Sequence, residues 1–166
     1  YEIKDLGRGK PPLLGLAEVG KEQLGGLMGS YFNGRDFDDL LFTRKDRSIN
    51  YDWGQGSPHP LVPNDNFSVR WNGLIKADRS GLYTFYTLSD NGIRLWLDND
   101  PVIENWSPHL ATEDRAEVYL GSGWHRIVLE YNEIGHGALV RLLWRTPTRS
   151  KSPVPPDHLS FSSPGD

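Results

Sequence analysis

The chain has 166 residues, with 18 basic against 22 acidic side chains for a net charge of −4, and no cysteine. That length suits one domain with chain to spare, the charge balance leaves no nucleic-acid footprint, and the missing cysteine removes disulfides, thiolate nucleophiles and cysteine-held metals. Eighteen Gly and 12 Pro imply many turns and disfavour a helix-rich fold, and no apolar stretch approaches the roughly 20 residues that cross a bilayer.

In chain order, residues 1–25 carry Pro11-Pro12 and scattered Gly without alternation, so they read as a lead-in segment, part of it packing as an edge or short helix around Ala17 to Leu24. The compact body is expected over residues 26–159. Its apolar period is two rather than 3.6. Phe67 to Asn72 alternates, placing Phe67, Val69 and Trp71 inward and Ser68, Arg70 and Asn72 outward. Leu82 to Leu88 is an aromatic-rich strand, and Asn91-Gly92 predicts a tight hairpin into Ile93 to Leu97. Asp98 to Pro101 is a second turn, followed by the short run Val102 to Glu104 and a polar loop over Asn105 to Glu113. Further strands are expected at Arg115 to Leu120, Trp124 to Asn132 and Ala138 to Arg145, and residues 160–166 form a C-terminal linker. Short strands at this spacing give an all-β fold with little helix, an antiparallel sandwich of jelly-roll type.

Catalytic signatures are missing from the sequence. The five His (His59, His109, His125, His136 and His158) form no metal pair, and no nucleophile elbow or phosphate-binding loop is present. Most Asp residues fall in turns, where the carboxylate bonds its own backbone. Asp36-Phe37-Asp38-Asp39 lacks the Gly and terminal Glu of a helix-loop-helix calcium site. Trp71 and Trp144 are in phase with apolar neighbours and belong to the core. Trp53 and Trp106 sit among polar loop residues and are the candidate ligand platforms.

The ordered segments Gly26 to Phe32, Phe67 to Ile75, Ser80 to Phe85, Ser89 to Asp98, Glu130-Tyr131 and Val154 to Leu159 together resemble the protective-antigen-type, or PA-fourteen, β-sandwich family of toxins, adhesins and glycosidases. The resemblance implies a non-catalytic, lectin-like carbohydrate-binding module of a larger secreted or cell-surface protein. Its partners are then a glycan or cell-surface polysaccharide and the flanking domains of the same chain, with no nucleic acid and no membrane span. The ligand residues on this reading are Asp90, Asn91, Trp106 and Asn132. The alternative is a structural or protein–protein interaction module without glycan binding.

In calcium-dependent adhesins of the family, two adjacent aspartates joined by a cis peptide hold the ion. The matching pair here is Asp90-Asn91, so calcium is the cofactor the resemblance implies, with Asp90 and Asn91 as its ligands. Asn91 removes one carboxylate from a cation that wants six to eight oxygens, which weakens such a site. The loop from Asn132 to Gly137 is the segment expected to complete the shell.

Overall fold

A computed structural model describes residues 11–161. Residues 1–10 of the expected lead-in and 162–166 of the expected linker therefore lie outside the described residues. The rest of the lead-in makes a 3-10 turn at Lys21–Gln23 and two isolated bridges, Leu14 to Trp124 and Leu24 to Ser160.

Among the described residues, twelve strands build two antiparallel sheets that face one another, as the period-two pattern requires. The larger sheet contains β1 (Leu27–Asn33), β2 (Asp39–Asp46), β4 (Phe67–Ala77), β6 (Ile93–Leu97), β7 (Asp100–Asn105), β9 (Gly123–Glu133) and the short β12 (Leu159–Ser160). Its order is β2-β1-β4-β9-β6-β7, with β12 also paired to β4. The smaller sheet runs β11-β10-β5-β8, from β11 (Ser152–Pro153), β10 (Ala138–Arg145), β5 (Gly81–Asp90) and β8 (Thr112–Leu120), and β3 (Asn50–Gly54) pairs with β10.

The inner faces supply the core. Phe67, Val69 and Trp71 of β4 meet Leu129 and Tyr131 of β9 in the larger sheet, and Phe85, Val140 and Trp144 form the opposing layer. All eight are buried, and each such side chain contributes roughly 1.5–3 kcal/mol of transfer free energy. With no cysteine to staple the sheets, this aromatic core carries the stability.

Three strands precede Phe67 where the sequence reading placed none. β2 is an outer strand whose residues are mostly exposed or half-buried, so it lacks the alternation that marks β4. Trp53 belongs to β3 rather than a loop, and its ring stacks on Tyr51 at 4.8 Å.

The Asn91-Gly92 hairpin is not formed. Strand β5 pairs with β8 and β10, whereas β6 pairs with β7 and β9, so residues 91 and 92 carry the chain from one sheet to the other. The two-residue turn with positive φ at both positions occurs instead at Asp98 (49°) and Asn99 (67°), closing β6 onto β7. Long-range partners of residues 91 and 92 decide the difference.

Candidate ligand-binding site at the Asp90 turn

The crossover places Asp90, Asn91 and Asn132 together at one end of the sandwich. The Asp90-Asn91 peptide is cis. The Asn91 amide N–H donates to the Asn132 carbonyl at 3.3 Å, and the Asn132 N–H returns to the Gly92 carbonyl at 3.0 Å. Gly92 N–H donates to Asn132 Oδ1 at 2.8 Å. A Cβ at residue 92 would lie 2.5 Å from that Oδ1 and 2.7 Å from the Trp106 carbonyl, so the close approach needs glycine.

Asn91 is only 7% exposed. Its Nδ2 donates to the His109 carbonyl at 2.8 Å, and its Oδ1 accepts from Ile134 N–H at 2.9 Å. The loop after Asn132 therefore faces the turn. Tyr131, from the core side, donates its hydroxyl to the Asp90 carbonyl and accepts from Leu139 N–H at 3.2 Å.

Asp90 itself is half-buried, and its Oδ1 is buried with no hydrogen-bond partner. Burial raises its pKa, while His109 and His136 pull in the opposite direction. Behind it, Glu133 is 1% exposed, and neither of its oxygens has a hydrogen bond of ordinary geometry. Burial and then Asp65 push the Glu133 pKa up to about 7, with the Gly135 amide opposing and Asp90 adding to the rise. Gln55, Asn64, Asp65 and His136 line an open polar cleft of about 270 Å³ beside these carboxyl groups. Glu133 and Asp65 were missed from sequence. Glu133 continues the β9 alternation begun by Leu129 and Tyr131, and only that inward phase signals that a carboxyl is being buried.

Trp106 joins the cluster through its backbone, beside Gly92. Its indole turns to the outer face of the larger sheet, with the Arg94 guanidinium 3.7 Å from the ring centroid and Phe37 stacked at 5.9 Å. Arg94 and Arg70 both bind Glu130, at 3.0 and 2.6 Å. A shallower depression of about 340 Å³, lined by Trp96, Asn99, Val128 and Glu130, lies on this face. Its carboxylate is already engaged by two guanidinium groups, whereas that of Asp90 keeps an unpartnered oxygen.

Calcium fits this turn poorly. Asn91 has spent both side-chain polar atoms on peptide groups, and Asn132 Oδ1 already accepts a hydrogen bond. Among the described residues, no three His, Asp or Glu side chains converge as a metal-holding group. Asp90 and Glu133 offer two carboxyl groups here, short of the six to eight oxygens of a calcium shell.

The PA14 domain family model matches residues 24–158. The chain belongs to the PA14 domain family. It is 38% identical over 135 residues to the anti-sigma-I factor RsgI3 of Acetivibrio thermocellus, a match covering 81% of this chain and 21% of that protein. An anti-sigma factor domain-containing protein from Clostridium clariflavum superposes with a TM-score of 0.79 at 37% identity, over 85% of this chain and 48% of the other. The PA14 sugar-binding domain from an RTX adhesin shares the fold, with a TM-score of 0.70 at 19% identity, over 84% of this chain and 99% of that one. This PA14 domain thus spans about a fifth of RsgI3 and about half of the clariflavum chain. Among its described residues no helix is long and apolar enough to cross a membrane.

Proposed function

We propose that this PA14 domain is a non-catalytic carbohydrate-recognition module, acting outside the cell or at its surface, whose binding end is the Asp90 turn and the adjoining cleft. One observation carries the reading. The half-buried Asp90 carboxylate retains an unpartnered oxygen beside a cleft lined by amide, carboxyl and imidazole groups. Buried acceptors left unpaired are costly, and such a lining offers the mixed donors and acceptors that sugar hydroxyls need. The RTX adhesin neighbour, described as sugar-binding, supports the same class of ligand. The likeness to anti-sigma factors supports a sensing role, in which glycan contact here is passed to other parts of a longer chain.

The cleft is shallow and open, so affinity for a single sugar is weak and longer glycans gain by adding contacts. A glycan array probed with the wild type and with Asp90→Ala tests the reading. Selective signals lost in the variant are expected. A blank array, or signals unchanged by Asp90→Ala, would point instead to an architectural or protein-binding module.

A further inference from the structure

Every polar atom of Asn91 is committed within the fold. Its N–H donates to the Asn132 carbonyl at 3.3 Å, and its own carbonyl accepts from Ser89 Oγ at 2.9 Å. Its Oδ1 accepts from Ile134 N–H at 2.9 Å, and its Nδ2 donates to the His109 carbonyl at 2.8 Å. The two side-chain bonds reach different loops. Ile134 opens the segment between β9 and β10, and His109 lies in the segment between β7 and β8.

We propose that the Asn91 carboxamide does the work of a cation at this turn, tying both loops to Asp90 without a metal. The chemistry of the two partners requires it. Ile134 presents a donor and needs an acceptor opposite, whereas His109 presents a carbonyl and needs a donor. A carboxamide supplies one of each. A carboxylate supplies acceptors only, so Asp at position 91 would keep the Ile134 bond but set an anionic oxygen against the His109 carbonyl. A cation lying between those two oxygens is the direct way to relieve that contact. Asn91 is therefore a positioning residue, and its identity makes the loop cluster independent of calcium. The organisation of the loops stands apart from glycan binding. Extended to the ligand, and resting on the proposed function, it means that recognition at this end survives a chelator.

The test is thermal unfolding of the wild type, Asn91→Asp and Asn91→Ala, each in EDTA and in excess calcium, with calorimetric titration of the wild type with calcium. The wild-type midpoint should be the same in both media, with no saturable calcium heat. Asn91→Asp should melt roughly 4 °C or more below wild type in EDTA, from the loss of a buried hydrogen bond, and recover with calcium but not with magnesium, which dehydrates reluctantly and demands a tighter octahedral shell. Asn91→Ala should be lowered alike in both media. A wild-type midpoint that rises with calcium would overturn the proposal, as would saturable calcium binding by the wild type. So would Asn91→Asp matching wild type in EDTA, or staying equally low when calcium is added. Because the readout is unfolding, a failed glycan array leaves these outcomes intact.

Discussion

Two buried acidic centres of this domain solve the same electrostatic problem in opposite ways. Asp46, 3% exposed, has its oxygens saturated. Tyr31 hydroxyl donates to Oδ2 at 2.5 Å and Trp71 Nε1 to the same atom at 2.7 Å, while Arg44 Nε donates to Oδ1 at 2.7 Å. At the Asp90 turn, Asp90 Oδ1 and both oxygens of Glu133 are buried without a hydrogen bond of ordinary geometry. The first centre locks β1, β2 and β4 together. The second leaves acceptors unsatisfied beside an open cleft, a condition that costs stability and persists where a ligand or a proton completes it.

Breaking the saturated centre should have the largest effect. Asp46→Ala strands the Tyr31 hydroxyl, the Trp71 indole and the Arg44 guanidinium, and should cost about 3–5 kcal/mol in a urea melt. Loss below about 1 kcal/mol would show that the network is redundant. Next comes Gly92→Ala, whose Cβ would meet Asn132 Oδ1 at 2.5 Å. It should cost about 1–3 kcal/mol and displace the turn, visible as amide shifts at residues 91 and 132.

Glu133→Gln sharpens the contrast from the unsatisfied side. The folded-state pKa of Glu133 is raised from 4.5 to about 7, so the folded protein holds this proton through a range where the unfolded chain releases it. Stability from this group is therefore full below about 4.5, declines as pH rises to about 7, and stays reduced above. Glutamine mimics the protonated form. The variant should match wild type at low pH and exceed it by about 1–3 kcal/mol above neutrality, with a flatter pH profile of the melting midpoint. A wild-type profile already flat between those values would show that Glu133 is solvated. The smallest effect on stability belongs to Asp90→Ala, within about 1 kcal/mol because an unpartnered oxygen is removed. Its consequence should be in binding, and a large loss of stability would place Asp90 with Asp46 as a structural acid.

The sandwich and its core were legible in the sequence because burial imposes a period of two. Phe67, Val69, Trp71 and Trp144 lie inward as the alternation requires. The gathering of Asp90, Asn91 and Asn132 followed from the family resemblance, and the hydrogen bonds show what holds them together. The hairpin expectation failed for a reason local sequence does not contain. Asn91-Gly92 and Asp98-Asn99 have similar turn chemistry, yet only the second makes the two-residue turn. The first is claimed by Asn132, some forty positions along the chain, whose backbone and side chain both bond it. Trp106 shows the same limit. Its loop was legible, but not that Arg94 and Phe37 would cover its ring.

The seat of a bound glycan distinguishes the Asp90 turn from the outer face of the larger sheet. Backbone amide shifts of the isotopically labelled domain, titrated in EDTA with the strongest ligand from the array, report this directly. Perturbations should gather at residues 64–65, 90–92 and 132–137 and stay unchanged on adding calcium. Perturbations confined to Trp96, Asn99 and Val128 on the outer face of the larger sheet, or a response at the Asp90 turn only when calcium is present, would contradict this placement.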